Sequence, residues 1–94
     1  TDPMRLGFHR QAMLGIRVSG DTRVVADKLA EMPEVAYVVL SAGAFDILDE
    51  VVCEDDEALI ELLNRKVRAL EGVSATETFL YLQLNKQKYD WGTR

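Results

Sequence analysis

Apolar positions along this chain switch between a period of two and a period near 3.6, and the switches outline six elements. Leu14, Ile16 and Val18 alternate with Met13, Gly15 and Arg17, so a first strand is expected over Gln11–Ser19. From Thr22 to Met32 the spacing widens, and Val25, Leu29 and Met32 make one stripe of a helix with Asp21 or Thr22 as N-cap and Pro33 as its stop. A second strand is expected over Val35–Ala42, apolar on both faces. A third, Phe45–Cys53, sets Phe45, Ile47 and Val51 against Leu48 and Val52. The clearest helix runs from Asp56 to Leu70, with Leu59, Leu62, Leu63, Val67 and Leu70 in its stripe. Asp55, Asp56 and Glu57 sit at its positive end and Arg65, Lys66 and Arg68 near its negative end. Gly72 stops it. A long fourth strand, Val73–Asn85, carries Thr76, Thr78, Leu80, Leu82 and Leu84 on one face and Glu77, Phe79 and Tyr81 on the other. Residues 1–10 contain Pro3 and Gly7, have no period, and read as a linker or leading arm. Residues Lys86–Arg94 read as a polar tail whose Tyr89 and Trp91 suit a neighbouring subunit or solvent equally.

The two halves repeat. Leu29, Met32 and Val35 recur as Val67, Leu70 and Val73, each time 38 positions on, and in both halves an acidic turn opens the helix and a Pro or Gly ends it. Two β-α-β units joined at a corner form a ferredoxin-like α+β sandwich. Both right-handed crossovers then place their helices on one face of an antiparallel sheet. The uncovered face keeps apolar side chains from three strands, so sheet-to-sheet dimerisation is expected. Scattered exposure of single apolar residues is the plainer alternative.

Ninety-four residues, 48% hydrophobic, make one domain with a modest core, of a size where association commonly adds burial. The net charge of −5 repels a phosphate backbone, so this chain is a poor DNA binder by itself. A single cysteine, Cys53, excludes an intrachain disulfide and fits a reducing compartment. No apolar run reaches the roughly 18 residues of a membrane span and no signal peptide is evident, so a soluble, cytoplasmic protein is expected. A start at Thr1 reads as a piece of a longer chain.

Catalytic groupings are scarce. His9 is the only histidine and falls in the leading arm, which leaves no His-based metal cluster and no Ser-His-Asp or Cys-His arrangement. Cys53 stands beside Glu54 and Asp55, which oppose thiolate formation, and reads as a packing residue. The acidic run Glu54–Glu57 lacks the alternation and glycine of a calcium loop and serves the helix start. No cofactor is called for.

The corner Ser41-Ala42-Gly43-Ala44-Phe45-Asp46 is the strongest candidate site. Gly43 can adopt angles closed to other residues and lets a ligand carboxylate approach main-chain N–H groups. Asp46 suits an α-ammonium, and Thr76 and Thr78 add hydroxyls from one face of the fourth strand. Together these complement an amino acid. The same residues also serve as a hairpin turn, its cap and ordinary strand formers.

Several segments in order carry a family resemblance: Leu14-Gly15-Ile16-Arg17-Val18, the Gly43-Ala44-Phe45-Asp46 corner, Leu70-Glu71-Gly72-Val73 with Thr76-Glu77-Thr78, and Lys88-Tyr89-Asp90-Trp91-Gly92. The chain resembles the effector-binding (RAM) domain of the Lrp/AsnC, or feast/famine, transcription regulators over essentially its whole length. Asp2-Pro3 to Gly7-Phe8 resembles their linker. The resemblance implies homodimers paired through their sheets, assembly into rings of dimers, and an amino acid or related metabolite bound in clefts between dimers. No winged helix-turn-helix precedes Thr1, so contact with DNA would come only from such a domain elsewhere, and a truncated regulator and a stand-alone sensor both fit. Two other readings stay open: a structural oligomerisation module with no ligand, and a small dimeric monooxygenase-type enzyme for which Tyr37, Tyr81 and Trp91 are the available groups.

Overall fold

A computed structural model describes residues 9–87. The elements run β1 (Arg10–Val18), α1 (Thr22–Ala30), β2 (Val35–Leu40), β3 (Ile47–Cys53), α2 (Asp56–Glu61), a π-helical segment (Leu62–Val67) and β4 (Val73–Leu80). The strands form one antiparallel sheet in the order β2-β3-β1-β4. This is the expected ferredoxin-like α+β sandwich. The leading arm except for its last two residues, and the tail from Lys88 on with Tyr89 and Trp91, lie outside the described residues.

Side-chain alternation decides the layers. Ala12, Leu14 and Ile16 of β1 and Ile47, Val51 and Cys53 of β3 are buried on one face, against Val25 and Leu29 of α1 and Leu59, Leu62 and Val67 of the second helix. The 38-residue repeat is physical. Met32 donates its N–H to Leu29 O and Val35 to Met32 O at 3.0 and 3.1 Å, and Leu70 donates to Val67 O and Val73 to Leu70 O at 3.2 Å each. The same tight turn therefore hands each helix to the strand after it. Asp21 and Asp55 are the N-caps, accepting from the N–H groups of Arg23 (2.9 Å) and Ala58 (2.8 Å). Asp56 pairs with Arg10 at 2.6 Å, so the Glu54–Glu57 run is engaged in starting and tethering the helix.

The expected boundaries are trimmed, each for a local reason. α1 gives way at Glu31 and Met32 to the tight turns before Pro33. β2 ends at Leu40 because Ser41 turns to bond Asp46, and β3 begins at Ile47 because Phe45 leaves the strand line. β4 ends at Leu80 rather than Asn85, where its pairing with β1 ends at Ala12: Tyr81 donates to Gln11 O, after which Leu82 and Leu84 are 92% and 72% exposed. The predicted continuous helix Asp56–Leu70 instead widens at Leu62, and Arg68 donates five residues back to Leu63 O at 2.9 Å. In an α-helix Leu62 and Val67 would stand about 140° apart, whereas an i→i+5 turn nearly stacks them. Both are buried.

Two bulges also escape the period count. Ala36 is the extra residue of β2 between Val35 and Tyr37, and Ser74 is the extra residue of β4 between Val73 and Ala75, its hydroxyl donating to Arg17 O at 3.1 Å. Among the described residues no helix is long and apolar enough to cross a membrane.

Candidate functional site

The corner 41–46 is clamped onto the C-terminal end of β1. Asp46 donates its N–H to Ile16 O at 2.9 Å and accepts the Val18 N–H on its carboxylate at 2.8 Å. That second bond satisfies a donor on the β3 side of β1, left without a ladder partner because the β1–β3 pairing ends at Ile16–Ile47. The Arg17 guanidinium donates to Ala44 O. Ser41 closes the corner from within, its N–H on Asp46 O at 2.9 Å and its hydroxyl on Phe45 O at 2.7 Å. Gly43 sits at φ +139° with nothing within 4 Å of a built Cβ, so its requirement is one of backbone angle, not of space. What remains at the tip are Ala42, Gly43 and Ala44, exposed residues whose main-chain N–H groups bond no described residue.

Phe45 folds back across the sheet. Its ring lies over Gly15, where a Cβ would come within 2.7–2.8 Å of the ring carbons, and meets Phe79 edge-on at 6.2 Å and 81°. Gly15 is thus the seat that lets the corner lie flat on β1. The sequence offered a signal, since a glycine inside a strand marks close approach, but the periodicity alone does not say what approaches. Gly15→Val is expected to destabilise the domain by about 1–3 kcal/mol through overpacking. Urea unfolding measures this, and adding Phe45→Ala should recover part of the loss; a double variant no better than the sum of the singles would show that the ring is not the obstacle.

The eight candidate residues are only partly brought together. Ser41, Ala42, Gly43, Ala44, Phe45 and Asp46 form one corner. Thr76 and Thr78 stand on β4 opposite Ile16 and Leu14, a strand away and on the helix side of the sheet, whereas Phe45 lies on the open side. Thr76 lines a shallow depression of about 460 Å³ with Arg68, Val73, Ser74 and Ala75. Arg68 and Ser74 were not among the expected site residues. Asp46 spends one carboxylate oxygen on Val18, and the other bonds no described residue.

The open face carries Met13, Leu48, Val52, Val39 and Phe79, with a polar group in their midst. Gln11 donates to the Glu50 carboxylate at 3.0 Å. Burial, then the neighbouring Glu50 carboxylate, pushes the Tyr81 phenol up to about 12, and Tyr37 is raised by burial and by the same carboxylate. On the helix side the buried Cys53 thiol is pushed up by burial first and by Glu34 and Asp55 after it, which fits a packing role. Among the described residues no group of three His, Cys, Asp or Glu is placed to hold a metal.

Residues 8–94 match the profile of a family described as a C-terminal dimeric alpha+beta barrel domain of AsnC-type regulators. The chain belongs to the Lrp/AsnC family. An HTH-type transcriptional regulator of Pyrococcus furiosus, itself uncharacterized, is 33% identical over 89 residues, 94% of this chain and 60% of that one. The structure of Escherichia coli AsnC superposes with a TM-score of 0.88 at 25% identity, covering 96% of this chain and 62% of AsnC. A Neisseria meningitidis regulator solved as a complex with L-Met gives a TM-score of 0.82 at 18% identity, over 93% of this chain and 58% of that one. This Lrp/AsnC domain thus spans a little over half the length of the curated relatives it matches.

Proposed function

We propose that this domain holds an amino acid or a closely related metabolite between subunits of an assembly built by pairing open sheet faces, and that occupancy shifts the balance among assembled states. The observation that carries the reading is the clamped corner, in which the N–H groups of Ala42, Gly43 and Ala44 bond no described residue. Adjacent main-chain donors held in a fixed turn can receive a carboxylate at little further ordering cost. The free oxygen of Asp46 supplies the complementary acceptor for an ammonium. Thr76 and Thr78 face a different side of the protomer, so their hydroxyls would reach the ligand from a neighbouring subunit. The Neisseria relative is a complex with L-Met, and at 18% identity that likeness is one of fold; which molecule binds here follows from the corner's own chemistry. The relatives are transcriptional regulators, and a binding role in the cytoplasm, coupled to DNA through a helix-turn-helix part outside these residues, accords with that. A ligand changes such an equilibrium only by its difference in affinity for the assembled states.

A second reading has one observation in its favour: Ser41 and one oxygen of Asp46 are already engaged inside the corner, as a purely structural module requires. A thermal-shift screen against the twenty amino acids, with light scattering on each hit, separates the two. A ligand at 100 times its Kd adds about 2.7 kcal/mol, which raises Tm by roughly 10–20 °C for a domain of this size. The expected result is a hit that changes assembly mass and is lost in Gly43→Val, whose backbone angle the new side chain opposes. No shift for any amino acid at millimolar concentration would overturn the amino-acid reading.

A further inference from the structure

We propose that Asp49 makes the packing of the helices on the sheet proton-linked: with its carboxyl protonated the helix layer seals over the strands, and ionisation as pH rises loosens that layer. Asp49 lies on the inward face of β3 between Ile47 and Val51, and its side chain is fully buried, 0% exposed. Neither carboxylate oxygen has a hydrogen-bond partner among the described residues. Its cross-strand neighbours on that face are Leu14 of β1 and Val38 of β2. Above it the core is completed by Val25 and Leu29 of α1 and by Leu59 and Leu62 of the second helix. None of these titrates or donates a hydrogen bond.

The other ionisable groups are all turned away or distant. Cys53 is the second titratable group on the inward face of β3, two inward positions further along. The Glu34–Lys66 pair, 2.8 Å apart, closes the rim near Cys53, with the Lys66 hydrogen bond holding Glu34 below the usual carboxylate range. Glu50 and its cross-strand neighbour Tyr37 belong to the opposite face, and the acids and bases of the two helices are on their solvent sides. A lone carboxylate without counter-charge or donor is far costlier to bury than the neutral acid. Burial alone accordingly pushes Asp49 from 3.8 up to about 7. Asp21, Asp46 and Asp55 each accept a backbone N–H, whereas Asp49 occupies a core position and pairs with no described residue.

The sign follows from proton binding. Between about pH 4 and pH 7 the folded chain keeps the Asp49 proton and the unfolded chain has lost it, so stability from this group is full below that window, falls as pH rises through it, and levels off above. Urea unfolding of the 94-residue chain at fixed protein concentration, from pH 5 to 8, tests it with Asp49→Asn and Asp49→Val beside the wild type. The ratio of the wild-type unfolding constant to that of either variant is expected to grow about tenfold per pH unit up to pH 7 and then to level. Parallel profiles for wild type and variants would overturn the proposal. Should neither variant fold, a 13C titration of aspartate carboxyls in the wild-type chain decides: one carboxyl titrating near pH 7 supports it, and all of them in the ordinary acidic range overturns it.

Discussion

Leu48→Glu is expected to turn the dimer into a folded monomer. Leu48 is at the middle of the open face, opposite Gly15 on β1 and Val39 on β2, and it shares that face with Met13, Val52 and Phe79. In a lone protomer this half-buried position faces solvent, so a glutamate there costs the fold little. In a two-fold dimer paired through this face, each new carboxylate enters the contact two residues from Glu50, while the base on that face, Arg17, is held on Ala44 O. An uncompensated buried charge costs about 3–5 kcal/mol. Symmetry doubles it, so the dimer Kd should rise by at least about 10⁴-fold. Sedimentation equilibrium at micromolar concentration, with circular dichroism to check folding, reads the result directly. A folded variant that stays dimeric would exclude the open face as the interface and point to a sheet edge or to the helix side.

Inside the domain the largest effect is expected from Leu29→Ala. Leu29 is fully buried in α1 against the sheet, and its repeat partner Val67 is equally buried in the second helix. Removing three carbons from such a site costs about 2–5 kcal/mol, against a total of about 5–15 kcal/mol for a domain. For a domain of this length Tm should fall by roughly 10–40 °C. Val67→Ala removes two carbons and should cost about two-thirds as much. Urea unfolding of both variants checks the ratio. A loss under about 1 kcal/mol for Leu29→Ala would mean that α1 is not seated on the sheet as described.

Much of the fold was legible in the residues because local physics and tertiary packing agree there. The acidic caps Asp21 and Asp55, the stops at Pro33 and Gly72, and the stripe repeated 38 positions apart are all short-range signals, and each reappears as a hydrogen bond or a buried contact. The family itself was readable from the order of its segments, and the profile match over residues 8–94 shows it. Boundaries were less legible because a strand ends where its neighbour ends. Leu82 and Leu84 continue the alternation of β4, yet its pairing with β1 ends at Ala12–Leu80 and both stand exposed. Period counting sees only one side of a pair.

The candidate site divides the same way. Glycine and aspartate at 43 and 46 announced a corner, but the rest depends on residues far apart in the chain. That Asp46 receives Val18, that Arg17 holds Ala44, and that Phe45 rests on Gly15 all follow from the β1–β3 register and the β2–β3 reversal, which bring residues 15–18 beside residues 41–46. Asp49 makes the contrast sharpest. Its neighbours Ile47 and Val51 mark an inward face two positions either side, so parity places it inside, while its charge argues for solvent. By itself the sequence determined the element order, the helix caps, the repeat and the α+β class, since these rest on backbone geometry and spacing within a few residues. Only the tertiary structure decided that the strand carrying Asp49 keeps its register at the cost of a buried carboxyl. The hydrophobic gain of Ile47, Val51 and Cys53 on that face outweighs one protonatable group, and a one-residue slip to free it would have turned all three outward.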